Sequence, residues 1–157
     1  MDFLISRDLD SRFSDRETAA VSEWLESGRA LHAMRDHPWH PVPMLAGGWG
    51  ARLTDNKIKE HWNSSWTKIL NNPKAFSTKK DKGPDQDILR DNVWRPWGSA
   101  NSVQHDSYCC QQFPGSIGFP TQRRNEAYNF FGSVGPEPLW QECPVECRRE
   151  GHKDWTH

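Results

Sequence analysis

Apolar and polar residues follow two rhythms along the first hundred positions: a repeat of three or four residues, and short unbroken apolar runs. The repeat predicts helices, because residues three and four apart share one face of an α-helix. One helix is expected over about Asp15–Ser27, since Ser14 and Glu17 form a capping box at its start. A second is expected over Asp55–Leu70, with an inward-facing stripe that comprises Ile58, Trp62, Trp66 and Ile69.

The short apolar runs predict strands. Phe3–Ile5 and Ala30–Met34 are expected as buried strands, and Ser102–His105 as a strand later in the chain. A further helix is expected to open at Gly83. Charged residues follow the first strand directly, and in open α/β sheets ligands gather at the carboxyl ends of strands.

Two segments between these elements are rich in proline or glycine. Arg35 to Pro43 has three prolines in six residues and is expected to be an extended loop. In Met44 to Arg52 several glycines surround a tryptophan. Their missing side chains either let the backbone approach a ligand or permit a bulge.

The last third of the chain is rich in turn residues, and residues 109–157 are expected to form an irregular C-terminal segment packed on a core of residues 1–108. Disulfides between its two cysteine clusters are expected to stabilise this segment, with the pairing left open. The cysteine spacing does not suit a common zinc site. Together with the sequon Asn63-Ser64-Ser65, the cysteines favour an oxidising secretory compartment. The cysteines are Cys109, Cys110, Cys143 and Cys147.

Composition narrows the classes of function. The chain of 157 residues has the length of one domain, and its net charge of −1 arises from interspersed acidic and basic residues. Such a chain lacks the basic surface by which proteins hold DNA or RNA, so nucleic acid is not an expected partner. No apolar run approaches the roughly 20 residues of a membrane span. Tryptophans can fill a core or stack on sugar rings, and the candidates for stacking are Trp39, Trp49, Trp94 and Trp97.

Three groups of polar residues could carry chemistry. Asp8 and Asp10 follow the first strand, where two carboxylates can converge on one hard cation or simply be solvated turn residues. Asp85-Gln86-Asp87 opens a helix, where acidic residues suit either the helix dipole or a reaction centre that develops positive charge. His105 and Asp106 end a strand. This imidazole can complete a carboxylate metal site or be an ordinary polar residue.

Taken in order, these segments resemble the metal-dependent nucleotide-sugar glycosyltransferases of the GT-A fold. The resemblance spans about Phe3 to Tyr108. It is carried by Asp8-Leu9-Asp10, Leu45-Ala46-Gly47-Gly48-Trp49-Gly50, Gly83-Pro84-Asp85-Gln86-Asp87-Ile88-Leu89 and a later histidine. The Asp-Gln-Asp-Ile-Leu run is similar to the retaining group that includes glycogenin and the bacterial lipopolysaccharide galactosyltransferases. The Arg-Asp-Leu-Asp-Ser-Arg and Met-Arg-Asp-His-Pro segments look like poorly characterised glycosyltransferase-like proteins.

The resemblance implies an α/β fold in which a mixed sheet carries packed helices, similar to the C-terminal half of the GT-A fold. It implies that Asp8 and Asp10 hold a divalent cation, manganese or magnesium, together with the donor diphosphate. His105 or His152 is implied as a third metal ligand. The residues implied to face the reaction centre are Asp85, Gln86 and Asp87. Those implied to bind substrate are Gly47, Gly48, Trp49, Arg35 and Asp36.

The expected function is therefore sugar transfer from a nucleotide-sugar donor to a glycan or protein acceptor, with retention of configuration. In the GT-A fold a nucleotide-binding half precedes the Asp-x-Asp motif, whereas seven residues precede Asp8 here. We therefore expect a longer protein, a partner chain or an inactive relative. The alternatives are a carbohydrate-binding remnant without turnover and a small secreted interaction domain.

Overall fold

A mixed four-stranded sheet forms the centre of the protein. The computed structural model describes residues 2–73, 83–123, 130–135 and 141–156. Strand β3 lies between β1 and β2 and is antiparallel to both, while β2 pairs in parallel with β4, giving the order β1-β3-β2-β4. The strands are β1 Phe3–Arg7, β2 Leu31–Arg35, β3 Gly48–Arg52 and β4 Ser102–Asp106. The α/β class with a mixed sheet is thus confirmed at this level.

Strand β3 is where the sequence was ambiguous, because its glycines are untypical of a strand. The structure makes Gly48–Arg52 an inner strand of the sheet. A β-carbon on Gly50 would lie 2.9 Å from the ring of Trp24, and one on Gly48 would lie 2.9 Å from the ring of Phe131. The glycines therefore let large aromatic rings pack directly on the backbone of the sheet.

Helix α1, Asp15–Ser27, has the limits that its sequence predicts. The Ser14 hydroxyl accepts a hydrogen bond from the Glu17 amide at 3.1 Å, and Gly28 ends the helix in the left-handed conformation with φ of 71°. These two caps satisfy backbone groups that a bare helix end would leave unpaired. The helix packs on one face of the sheet through Trp24, whose ring stacks on His32 at 5.4 Å.

Helix α2, Asn56–Leu70, is capped by Asp55 and packs on the other face of the sheet. One expectation for its buried stripe was wrong, because Trp66 is 55% exposed. Ser65 takes the inward position instead, and its hydroxyl accepts a hydrogen bond from the Trp97 indole at 3.0 Å. The hydroxyl supplies a partner for the buried indole N–H. The inward stripe therefore carries a polar residue at a position where an apolar pattern does not predict one.

Helix α3, Pro84–Leu89, continues directly into a π-helical turn, Arg90–Gly98, and a short 3₁₀ turn, Ser99–Asn101, that leads into β4. Val93, Trp94 and Trp97 of this segment complete the apolar core beneath the sheet. The core on this side also includes Leu31, Ala33, Met44, Trp49 and Ala51. Among the described residues, no helix is long and apolar enough to cross a membrane.

One disulfide links the two cysteine clusters, between Cys110 and Cys147. Cys109 and Cys143 keep free thiols, and both are buried. Burial raises the pKa of each thiol to about 11. The expectation of cross-links between the clusters is confirmed for this pair, and the two remaining thiols are protonated and unreactive at neutral pH.

Candidate functional site

The carboxyl ends of β1, β2 and β4 meet at one edge of the sheet, because β1 and β2 both run antiparallel to β3. Three charged segments follow these ends: Asp8 after β1, Asp36 after β2 and Asp106 at the end of β4. The Ser6 hydroxyl donates a hydrogen bond to the Ala46 carbonyl at 2.7 Å and ties β1 to the loop that enters β3. The topology therefore brings these acidic segments to the same side of the molecule, as the sequence predicts.

Of these three aspartates, Asp8 lies in the wall of a cavity together with three other predicted site residues. Asp8, Gly47, Asp85 and Gln86 line a cavity of about 280 Å³, which we call the acidic pocket. They come from three segments that lie far apart along the chain. The other described residues of its wall are His40, Leu45, Ala46, Gly83, Phe131 and Gly132.

Gly47 leaves the space that the Asp8 side chain occupies. A β-carbon on Gly47 would overlap the Asp8 carboxyl group. The carboxylate of Asp8 therefore rests on bare backbone at the entrance to β3. The resemblance implied that the glycine segment approaches a sugar, and in the structure Gly47 first of all makes room for Asp8.

Asp85 and Gln86 enter the acidic pocket from the first turn of α3, which Gly83 precedes with a left-handed φ of 98°. The Asp85 carboxylate accepts a hydrogen bond from the backbone amide of Gln86 at 2.9 Å. Asp87 is not part of the wall, and its side chain forms an ion pair with Arg90. Of the three residues that the resemblance implied at a reaction centre, the structure therefore places two in the pocket.

The described part of the pocket wall carries negative charge. Asp8 and Asp85 are carboxylates, and the described wall contains neither lysine nor arginine. Burial and the neighbouring His37 lower the pKa of His40 to about 4, so that its imidazole is neutral at pH 7. The two described carboxylates therefore favour a cation at the pocket, with which an anionic ligand can bind.

The other predicted metal ligands lie elsewhere. Asp10 is exposed and is not part of the pocket wall. His105 is on β4, three strand spacings or about 14 Å from β1. His152 is exposed and stacks on Trp155 at 3.9 Å. Over the described ranges, no cluster of three or more histidine, cysteine or acidic side chains has the arrangement of a metal site.

His105 belongs to a buried chain of polar groups. Its Nε2 lies 3.1 Å from a Glu23 carboxylate oxygen, and its Nδ1 lies 2.8 Å from Nε2 of His32. A carboxylate can only accept, so the His105 Nε2 carries a proton and His32 donates to Nδ1. Burial lowers the pKa of both imidazoles, and Glu23 offsets part of this effect at His105.

Arg35 and Asp36, implied to bind substrate, are fully buried and serve as supports of the pocket wall. Arg35 forms an ion pair with Asp106 at 2.6 Å and donates to the Pro43 carbonyl at 2.7 Å. The Asp36 carboxylate accepts from the Phe131 amide at 2.9 Å, and Phe131 lines the acidic pocket. These two side chains therefore hold the loop before β3 and the aromatic wall in place.

Asp36 is the centre of an interior charge network, formed by Arg16, Arg35, Asp36, Asp106 and Arg123. The Arg16 guanidinium lies 2.9 Å from Asp36, and that of Arg123 lies 3.0 Å from it. Burial alone would raise the pKa of Asp36, but the two guanidinium groups outweigh burial and hold the pKa below its ordinary value. The five side chains carry three positive and two negative charges, so both buried carboxylates are offset by arginines within the network.

The remaining predicted substrate residues are in the core. Trp49 is buried and its ring meets that of Trp62 at 5.2 Å, while Gly48 lies against Phe131. Sequence reasoning missed His40, Phe131 and Gly132 as wall residues. A histidine in the proline-rich loop after β2 was a usable signal for His40. Phe131 and Gly132 offered none, because the hydrogen bond that places Phe131 is made to the distant Asp36.

A larger cavity, of about 640 Å³, lies between α1 and the C-terminal segment. Its basic groups are already engaged. Arg149 forms an ion pair with Glu23 at 2.9 Å, and Arg148 donates to the carbonyls of Cys143 and Lys153. Its charges are balanced within the wall, so size alone does not make this cavity the better candidate site.

No protein-family model, no curated protein and no solved structure matches this chain. The function therefore has to be argued from the geometry of the acidic pocket.

Proposed function

We propose that the acidic pocket binds the diphosphate-sugar part of a nucleotide sugar together with a divalent cation, and that the protein transfers the sugar to an acceptor. The observation that carries the proposal is the meeting of Asp8, Gly47, Asp85 and Gln86 in one cavity. The glycosyltransferase resemblance assigns these residues to the metal, the sugar and the reaction centre. Three distant segments thus contribute two carboxylates, those of Asp8 and Asp85, and the side-chain amide of Gln86 to the same cavity.

The residues of the pocket fit a hard cation. Magnesium and manganese prefer oxygen ligands, and magnesium is commonly held by one or two carboxylates together with substrate phosphates and water. Asp8 and Asp85 would supply the carboxylates and Gln86 an amide oxygen. When bound, the cation would neutralise charge on the leaving diphosphate. The negative pocket makes binding of a diphosphate depend on that cation.

The side chains themselves would stabilise the reacting sugar. Positive charge develops at the anomeric carbon as the bond to the leaving group breaks. The Asp85 carboxylate oxygen that does not hold the cation carries negative charge, which would stabilise this centre. Phe131 and Leu45 line the same pocket and would exclude water from the reacting atoms.

A second candidate, a carbohydrate-binding domain without turnover, is favoured by the size of the pocket. Its volume of about 280 Å³ lies just below the range of roughly 300–1,000 Å³ that is usual for small-molecule sites. Such a volume suits a sugar and a phosphate better than a whole nucleotide sugar. Binding with no release of nucleotide would favour this candidate.

Thermal denaturation with Mn²⁺ and a panel of nucleotide sugars tests the proposal. UDP-glucose, UDP-galactose, UDP-N-acetylglucosamine and GDP-mannose serve as probes, each with and without Mn²⁺. A ligand present at about 100 times its Kd stabilises the folded protein by about 2.7 kcal/mol. We expect an increase in Tm that requires Mn²⁺ and one of these donors together, and release of the nucleoside diphosphate when an acceptor is present.

Matched variants locate the effect. Asp8→Asn and Asp85→Asn should abolish the Mn²⁺-dependent increase, because each removes a pocket carboxylate. Asp87→Asn is the control, since Asp87 lies in the same turn but pairs with Arg90 outside the pocket. An equal response in all three variants, or no response of the parent protein to any donor, would show that the proposal is wrong.

A further inference from the structure

The sequon Asn63-Ser64-Ser65 lies in the middle of helix α2. It is the one Asn-x-Ser/Thr sequence of the chain. Asn63 is exposed, and its backbone carbonyl accepts a hydrogen bond from the Thr67 hydroxyl at 2.8 Å. Among the described residues, no hydrogen bond engages its side-chain amide. The nitrogen that carries the sugar in an N-linked glycan is therefore accessible in the folded protein.

An exposed tryptophan lies about one turn further along the same helix. Trp66 is 55% exposed, and no aromatic ring of the described part of the chain packs on it. Residues three apart are neighbours on a helix surface, and long side chains lean towards the N-terminal end of the helix. The indole is therefore expected over the turn that holds Asn63. Single exposed apolar residues are common, so it is this position beside the sequon that gives Trp66 its interest.

The disulfide is an independent observation that concerns the same sequon. Cys110 and Cys147 are joined across 37 residues of the chain. Disulfides form and persist in oxidising compartments such as the lumen of the endoplasmic reticulum, where the asparagines of sequons are glycosylated. A chain that folds with this disulfide would therefore meet the enzyme that modifies Asn63.

We propose that Asn63 carries an N-linked glycan and that its first N-acetylglucosamine packs on the indole of Trp66. The donor is an oligosaccharide linked to a lipid diphosphate. The Asn63 amide nitrogen forms a bond to the anomeric carbon of this sugar and loses one proton. The bond from that carbon to the diphosphate breaks, and the lipid diphosphate leaves. Neither Asn63 nor Trp66 is part of the acidic pocket wall, so the proposal does not rest on the proposed sugar transfer.

The position of Ser65 determines when the glycan is attached. Ser65 is buried, and its hydroxyl accepts the hydrogen bond of the Trp97 indole at 3.0 Å. Residues two apart do not face each other on a helix. The folded helix thus keeps the sequon hydroxyl away from the modifying enzyme, and the glycan is attached before α2 forms. Because the Asn63 side chain is exposed, the folded protein then has room for the sugar.

Secretion of the chain from a mammalian cell line, behind a cleavable leader peptide, tests the proposal. Mass spectrometry should find a glycan at Asn63 and none in Asn63→Gln. An endoglycosidase that leaves one N-acetylglucosamine on the asparagine then gives the form whose Tm is measured. We expect this single sugar to raise the Tm above that of Asn63→Gln by about 2–4 °C, the shift that one aromatic contact gives in a domain of this size.

Two further variants assign the increase in Tm to Trp66, each measured with the single sugar and with Asn63→Gln in the same background. Trp66→Ala keeps the sequon and its glycan but should lose the increase. Leu70→Ala is the control, because Leu70 is 52% exposed on the same helix but lies about two turns from Asn63. Circular dichroism establishes that each variant is folded. The proposal is overturned if the secreted protein carries no sugar at Asn63, if Trp66→Ala gains as much as the parent, or if Leu70→Ala loses as much as Trp66→Ala.

Discussion

The acidic pocket and the interior charge network both contain acidic residues, but the surroundings of their carboxylates differ. Each contains an acidic residue that follows a strand at the same edge of the sheet, Asp8 in the pocket and Asp36 in the network. Asp36 is fully buried and is neutralised by two guanidinium groups, whereas Asp8 rests on the backbone of Gly47 at the wall of a cavity. The difference lies in the presence of a buried arginine partner. A carboxylate that is paired with a buried arginine stabilises the fold, whereas a carboxylate without such a partner can bind a ligand.

The largest expected effect is on the stability contributed by the network. Asp36→Asn leaves the buried charges of Arg16 and Arg123 without their partner, and breaking a buried pair from one side costs about 3–5 kcal/mol. Asp8→Asn changes an exposed side chain and should alter the free energy of unfolding by less than about 0.5 kcal/mol. Urea denaturation followed by circular dichroism measures both. Equal losses in the two variants would remove the distinction between pocket and network.

Asp8 and Asp36 also show how much of the site the sequence could predict. The capping box at Ser14 and Glu17 predicted α1 with its correct limits, because a cap is a local signal. The position of Asp8 directly after a strand is also predicted by a local signal in the sequence. That Asp36 would be neutralised, and would therefore not face a ligand, depends on Arg123, which is 87 residues away. The spacing of residues along the sequence does not show that Asp36 and Arg123 are in contact.

Strand β3 and the far wall of the pocket were beyond prediction for a related reason. Gly48 and Gly50 carry no strand signal of their own, and their place in the sheet follows from the rings of Phe131 and Trp24 that pack on them. For Trp66 the local pattern gave a wrong prediction. Its spacing matched the buried stripe of α2, but Ser65 takes the buried position. In each case tertiary packing overrides the local pattern.

A pH-dependent effect on stability is expected from the buried imidazoles of His32 and His105, which lie among Glu23, Arg16, Arg35 and Arg149. Their pKa values are lower in the folded protein than the ordinary 6.5, so the unfolded chain takes up protons first as the pH falls. Stability is therefore complete above pH 6.5 and is lost below it, by up to about 1.4 kcal/mol per pH unit for each histidine. His40 adds to the same trend.

Denaturation at pH 7.0, 6.0 and 5.0 measures this slope. His32→Phe removes one titrating group and should flatten the slope while lowering stability at pH 7. His61→Phe is the comparison, because His61 is exposed and stacks on Trp97. The expected result is an unchanged slope in His61→Phe. Should His32→Phe keep the slope of the parent, the interior histidines would not be the groups that take up protons on unfolding.

The sharpest test of the pocket, with a small effect on stability, is Gly47→Ala. The new methyl group displaces the Asp8 carboxylate, whose side chain is exposed and free to rotate, so the cost in stability should stay below about 1 kcal/mol. Displacement removes one of the two pocket carboxylates, and we expect Mn²⁺ to bind about tenfold more weakly, as measured by titration calorimetry with a nucleoside diphosphate present. Gly135→Ala is the control, since a β-carbon there meets no atom within 4 Å. Unchanged Mn²⁺ binding in Gly47→Ala would place the cation, and with it the proposed chemistry, away from Asp8.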